Sequence, residues 1–179
     1  MSRTIRAALI GCASLALLSI GAATAQASPN TAAAQGGLVG QLQVKYRDKC
    51  LAVADGSLSN GAHVVEGECD SSADSQVFNL KPDTSGWELV AEHSGRCLTF
   101  NPASAVEVTQ QWCSGTSSQR WLMEFLDGAE TNLMTLRPQD APAECLSMGG
   151  TPAGEEPLAY VVSCFNNLPS QQWRIMFRH

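Results

Sequence analysis

The chain has 179 residues, with 17 acidic side chains against 11 basic ones and a formal charge of −6. That balance argues against nucleic acid or an anionic membrane as an electrostatic partner. The length suits one compact domain, and no second composition shift divides it.

The first segment reads as an export signal. Arg3 and Arg6 precede an uncharged apolar run from Ala7 to Ala23, and small residues at Ala23-Thr24-Ala25 and Ala25-Gln26-Ala27 suit signal peptidase. The run is too short for a stable membrane span, so no span is expected. Leu9-Ile10-Gly11-Cys12 resembles a lipobox, but most of the apolar run follows it, so a lipid anchor at Cys12 is not expected. Residues 1–27 are read as the signal peptide and the protein as secreted, along a bacterial secretory route. Their removal takes away two of the 11 basic residues and none of the 17 acidic ones, leaving a charge of −8. Residues 28–40, small, polar and glycine-bearing, are expected to form a flexible leader.

From Gln41 onward one phrase recurs. It opens at Cys50-Leu51, Cys97-Leu98 and Cys145-Leu146, which lie 47 and 48 residues apart. A second cysteine follows at Cys69, Cys113 and Cys164. Each copy closes on a glutamine, any residue and an aromatic: Gln76-Val77-Phe78, Gln119-Arg120-Trp121 and Gln171-Gln172-Trp173. A fixed period of this length marks a repeat architecture, with units at about 41–83, 84–127 and 128–179.

Within the units the apolar spacing is that of strands. Leu42, Val44 and Tyr46 alternate with polar residues before a charged turn at Arg47-Asp48-Lys49. Trp87, Leu89 and Ala91 alternate before a turn at His93-Ser94-Gly95. Leu133 and Leu136 are less regular, and Pro138 to Ala143 lengthens the third turn. In the closing strands Phe78 with Leu80, Trp121 with Met123 and Phe125, and Trp173 with Ile175 and Phe177 share a face suited to burial. About four strands per unit, and no helix after the signal, make the chain all-β.

Six cysteines remain after export, and disulfides are their default use there. Equivalent positions should be bridged equivalently, which predicts Cys50–Cys69, Cys97–Cys113 and Cys145–Cys164. Loops of this length stabilise by roughly 3 kcal/mol each in the chain-entropy model. Zinc is the alternative use of cysteine, but no Cys-x-x-Cys pair occurs.

The three units together resemble the ricin-type β-trefoil: a Cys-Leu strand, a second cysteine, then Gln-x-Trp. The resemblance implies a six-stranded barrel capped by three hairpins about a pseudo-threefold axis, and implies sugar binding. In that family a sugar is held by an aspartate directly after Cys-Leu, an aromatic two residues before the second cysteine, and an asparagine before the Gln-x-Trp glutamine. Here those positions hold Ala52, Thr99 and Ser147; Gly67, Gln111 and Val162; and Ser75, Ser118 and Ser170. No pocket retains the carboxylate, although a charged hydrogen bond is worth roughly 1.5–3 kcal/mol.

The closing aromatics are read as core and the glutamines as backbone-bonding, with Gln119 and Gln171 also able to assist a ligand. The second unit keeps the fullest set of substitutes: Thr99, Gln111, Gln119 and Trp112. A one-residue bulge would turn Trp112 outward as a platform, but the preferred reading packs it beneath a hairpin. The third unit offers Ser147 and Tyr160, the latter equally readable as a half-exposed strand residue. Glu66, Glu68, Asp70 and Asp74 gather around Cys69; such a loop is usually a solvated edge, and the Asp-x-Asp-x-Asp-Gly pattern of a calcium loop is missing.

His63, His93 and His179 are scattered, Glu155 and Glu156 adjoin in a loop, and no nucleophile or metal motif occurs. The chain is expected to be non-catalytic, with no cofactor and no metal. The reading is therefore a secreted module that binds a glycan or polysaccharide through altered pockets. The alternative is a trefoil scaffold that no longer binds sugar and acts on proteins, as an interaction module or protease inhibitor.

Overall fold

The computed structural model describes residues 36–102, 106–128, 130, 132–149, 157–165 and 167–177. The expected signal peptide, Cys12, Glu155, Glu156 and His179 lie outside them. The described residues form twelve strands and single turns of 3-10 helix.

The first unit holds β1 (Leu38–Val44), β2 (Cys50–Val53), β3 (Val64–Gly67) and β4 (Val77–Asp83). The second holds β5 (Gly86–Ala91), β6 (Cys97–Phe100), β7 (Val108–Gln111) and β8 (Trp121–Phe125). The third holds β9 (Met134–Pro138), β10 (Glu144–Met148), β11 (Ala159–Ser163) and β12 (Trp173–Phe177). The first and fourth strands of each unit build a barrel. Strand β1 pairs with β4, β4 with β5, β5 with β8, β8 with β9, β9 with β12, and β12 returns to β1, all antiparallel. Closure leaves the six barrel strands no free edge. The middle strands pair as the hairpins β2–β3, β6–β7 and β10–β11. These hairpins touch one another through the bridges His63↔Thr109, Val65↔Leu158 and Glu107↔Tyr160, so each leans on the next. This is a β-trefoil.

The repeated residues explain the closure. Leu51, Leu98 and Leu146 are fully buried, as are Phe78, Trp121 and Trp173. They join Leu42, Leu80, Leu89 and Leu136 in one core cluster. No unit could bury its own closing ring, whereas three together exclude water from all of them. The indole Nε1–H of Trp121 donates to the Leu98 carbonyl at 3.1 Å, and that of Trp173 to the Leu146 carbonyl at 3.0 Å. The closing ring thus ties the last strand of a unit to its Cys-Leu strand, a bond that Phe78 has no donor to make.

The disulfides are Cys50–Cys69, Cys97–Cys113 and Cys145–Cys164, each inside its own unit. In the first two units the turn before Cys-Leu closes by the same bond, from Val44 N–H to the Lys49 carbonyl and from Ala91 N–H to the Arg96 carbonyl, both 2.8 Å. Both turns need a left-handed residue at one place, filled by Asp48 (φ 56°) and Gly95 (φ 65°).

Three expectations are corrected. Strand β1 begins at Leu38, inside the segment read as leader, because Leu38, Val39 and Gly40 pair with Leu80, Asn79 and Phe78. Tyr46 does not continue the buried alternation. Strand β1 ends at Val44, and Tyr46 stands exposed in the following turn. Phe125 and Phe177 share the stripe of Trp121 and Trp173 but lie at the far ends of β8 and β12, where they are 63% and 53% exposed.

Candidate functional site

Each Gln-x-aromatic glutamine clips the chain on both sides of the second cysteine. Gln76 donates to the Glu68 carbonyl (2.6 Å) and accepts from Asp70 N–H (2.9 Å). Gln119 donates to the Trp112 carbonyl (2.9 Å) and accepts from Ser114 N–H (2.7 Å). Gln171 donates to the Ser163 carbonyl (2.9 Å) and accepts from Phe165 N–H (2.8 Å). All three are buried. Gln119 has its amide engaged on every side, its Nε2 also donating to the Thr99 hydroxyl, and Gln171 spends its carbonyl and one N–H on the same clip. Their chemistry is spent on holding the loop that ends at each disulfide.

In the second unit the candidate side chains bond to their own neighbours. The Thr99 hydroxyl donates to the Cys97 carbonyl (3.0 Å) and accepts from Gln119 Nε2 (3.0 Å). The Gln111 amide donates to the Thr109 hydroxyl at 3.2 Å. Trp112 is 65% exposed rather than packed beneath a hairpin. It turns outward without a bulge, because β6 and β7 pair in unbroken register up to Cys97↔Gln111 and Trp112 follows the strand's last residue. The Arg96 guanidinium lies 4.1 Å from the centroid of its ring and donates to the Asn60 Oδ1 at 2.9 Å. Buried Gln110 binds that same loop from below, donating to the Ser57 and Ser59 carbonyls at 2.7 and 2.9 Å.

In the third unit Ser147 stands at the position of the missing aspartate, but it is 1% exposed and hydrogen-bonded to the Ser170 hydroxyl at 3.2 Å. The serine pair closes that position to a ligand. Tyr160 lies directly opposite Ser147 across the hairpin, in the register pair Ser147↔Tyr160. Its half-buried ring lines an open cleft of about 360 Å³ with Met148, Leu168, Pro169 and Ser170. The other wall comes from the first unit, as Tyr46 and Arg47. The Arg47 guanidinium is 4.9 Å from the Tyr46 centroid and 3.4 Å from Glu66 Oε1.

Sequence reasoning placed Glu66 on a solvated acidic edge. The structure buries it, with its side chain 4% exposed and Oε2 without a hydrogen-bond partner. The cause is the neighbouring hairpin, whose Pro157 carbonyl accepts from Glu66 N–H at 2.9 Å. The rest of the acidic loop disperses. Glu68 pairs with Lys49, and Asp70 accepts from the Ser72 N–H and hydroxyl at 2.8 and 2.6 Å. The Ser72 hydroxyl, then its N–H, holds the Asp70 carboxyl below the usual carboxylate range. Sequence reasoning missed Tyr46 and Arg47 as site residues. Their only signal was an aromatic next to an arginine at a turn, which says nothing of the unit that faces them.

Of the histidines, His63 lies 3.8 Å from Glu107, and His93 Nε2 lies 3.1 Å from the Ser57 carbonyl. Among the described residues no helix is long and apolar enough to cross a membrane.

Comparison with known proteins agrees with this architecture. Residues 35–121 match the family model of the ricin-type beta-trefoil lectin domain. No curated protein sequence matches the chain significantly. Among solved structures the chain is similar to a designed threefold-symmetric protein, ThreeFoil, at 26% identity and a TM-score of 0.65, over 76% of this chain and 96% of that one. It is similar in fold to an earthworm lectin C-terminal domain mutant, solved with 6'-sialyllactose, at 13% identity and a TM-score of 0.60 (79% and 99% covered). It is also similar in fold to an exo-beta-1,3-galactanase from Clostridium thermocellum, at 21% identity and a TM-score of 0.62, covering 79% of this chain but only 30% of the enzyme. The threefold Cys-Leu, Cys and Gln-x-aromatic phrase and the closed barrel with its three hairpins make the chain a β-trefoil, and its residues 35–121 match the ricin-type beta-trefoil lectin domain.

Proposed function

We propose that this protein is a secreted, non-catalytic carbohydrate-binding module whose working site is the third unit's cleft. The observation that carries the reading is the pairing of Tyr160 with Tyr46 across a cleft of about 360 Å³ that also holds the Ser170 hydroxyl and the Arg47 guanidinium. Aromatic faces pack against the apolar face of a sugar ring, while a few convergent polar groups fix its hydroxyls. Tyr160, rather than the family's aspartate, then provides the principal contact, and Ser147 and Gln171 support the wall from behind. The earthworm lectin solved with 6'-sialyllactose supports a sugar as the ligand class by likeness of fold. Three disulfides fit an oxidising, extracellular setting, with residues 1–27 as the export signal and the trefoil following the leader.

The test is a glycan array with polysaccharide pull-downs on the disulfide-bonded protein, covering galactosides, xylans, mannans and chitin. Binding should appear and fall about tenfold or more in Tyr160→Ala, equivalent to about 1.4 kcal/mol, with the unfolding midpoint unchanged. Silence across the set would overturn the reading.

One observation favours a second reading, a protein-facing scaffold. Trp112 and Leu58 are both largely exposed, and Arg96 joins their loops. Tryptophan and arginine are enriched among the residues that anchor protein interfaces. That reading predicts a silent array and a partner lost in Trp112→Ala.

A further inference from the structure

A second pocket opens beside the first. It measures about 300 Å³ and is lined by Asp127, Glu130, Lys45, Asn167 and Gln172, with Leu126 and Leu133 as its apolar part. Its origin lies in the repeat. Lys45 N–H donates to the Gln172 carbonyl, Gln139 N–H to the Arg120 carbonyl and Glu92 N–H to the Val77 carbonyl, all at 2.9 Å. Gln172, Arg120 and Val77 are therefore the same structural position. In the second unit the long Arg120 side chain reaches the preceding hairpin turn and grips Asp83 at 2.7 Å and Glu88 at 2.6 Å. In the third unit the shorter Gln172 faces the corresponding turn, and the space that a guanidinium occupies in the second unit stays open.

The pocket's lining mixes acids, a base and amides. Glu130 is held by Lys45 Nζ at 2.7 Å and by Arg174 at 3.1 Å. Asp127 adds a second carboxylate to the lining, and Arg174, which pairs with Glu130 from outside the lining, joins Lys45 in offsetting the two acids. Carboxylates accept, ammonium donates, and the Asn167 and Gln172 side chains do both. Such a mixture suits a neutral ligand rich in hydroxyl groups, each of which must donate and accept, better than it suits an ion.

The two pockets are also lined by neighbouring residues of the same two loops. On one side, Lys45 lines the second pocket and the next two residues, Tyr46 and Arg47, line the first. On the other, Asn167 lines the second and Leu168, Pro169 and Ser170 line the first. Consecutive Cα atoms are about 3.8 Å apart, so one residue's step on each loop separates the two.

We propose that these pockets are adjoining subsites of one groove along the seam between the third and first units, which takes an oligosaccharide of two or more neutral sugar rings. One ring sits between Tyr160 and Tyr46, and the next meets Asp127, Asn167 and Gln172. This rests on the carbohydrate reading above.

The experiment is calorimetric titration of the full disulfide-bonded protein with galacto-, xylo-, manno- and chito-oligosaccharides of one to six rings. Affinity for the preferred series should rise about tenfold or more between one ring and two or three, then level off. Gln172→Arg, which copies Arg120 and fills the second pocket, should abolish that rise and leave single-ring binding unchanged. Asp127→Ala, a change on an exposed turn, should reduce the rise without altering the unfolding midpoint. Equal affinity at every length, or a rise that survives both substitutions, overturns the extended groove while leaving the carbohydrate reading standing. Failure of every saccharide to bind overturns both.

Discussion

Replacing Gln119 by alanine separates a structural clip from a sugar contact. The side chain is 2% exposed and makes four hydrogen bonds: to Ser114 N–H (2.7 Å), the Ser114 hydroxyl (3.2 Å), the Trp112 carbonyl (2.9 Å) and the Thr99 hydroxyl (3.0 Å). Ser114 and Trp112 are exposed and regain water when the amide is lost, so their bonds count at the low end of the net range of about 0.5–1.5 kcal/mol each. The half-buried Thr99 hydroxyl and the space left by the side chain cost more. Together these give a loss of about 2–3 kcal/mol. With a urea m-value of about 2 kcal/mol/M, the unfolding midpoint falls by about 1–1.5 M. Tryptophan fluorescence against urea, with disulfides intact, measures it, and a saccharide titration in parallel should show unchanged affinity. A midpoint within about 0.3 M of the parent protein, combined with lost binding, would refute the clip and return Gln119 to the ligand.

Trp121→Phe copies the first unit's Phe78 and leaves the Leu98 carbonyl without its indole partner, so a loss of about 1–3 kcal/mol is expected in the same urea assay. Ser147→Asp, which restores the family's carboxylate, should not restore sugar binding. It places a charge where the side chain is 1% exposed, and should destabilise the fold by about 2 kcal/mol or more. Cys97→Ser with Cys113→Ser opens a loop of sequence separation 16 and should cost roughly 3 kcal/mol, read as a lower unfolding midpoint equal to that of the parent after reduction of this bridge alone. The carboxyl of Asp83, held below the usual range by the Thr84 hydroxyl and then by Arg120, makes stability acid-sensitive, as does that of Glu130 beside Lys45. Their folded-state pKa values lie below the unfolded ones. The stability they add is thus present above the ordinary carboxylate pKa and lost as pH falls through the lowered values. Urea midpoints taken from neutral to strongly acidic pH should fall along that limb, and Arg120→Ala should make the fall shallower.

The repeat made most of the fold legible in advance. Cys50–Cys69 and its two counterparts, the burial of Phe78, Trp121 and Trp173, and the backbone bonding of the glutamines all follow from relations inside one unit, written three times. A residue whose neighbours lie within its own repeat carries its environment in the local sequence. Strand ends were less legible. Tyr46, Phe125 and Phe177 continue an apolar alternation, yet each lies where its strand leaves the barrel, a boundary set by pairing rather than by residue type.

The functional surface depends on contacts between units, which no local pattern encodes. Tyr46 becomes a cleft wall only because the third hairpin faces it. Glu66 is buried by a hairpin whose Pro157 lies about ninety residues further along the chain, and Trp112 stands outward under Arg96. Sequence alone determined the trefoil, its bridges and the loss of the family's three carboxylates, because those are identities at repeating positions. The tertiary structure alone decided which substitute side chains meet in a cleft and where Gln172, too short to fill the place of Arg120, leaves a pocket. Barrel closure brings the first unit against the third, and only there do residues so far apart in the chain share a surface.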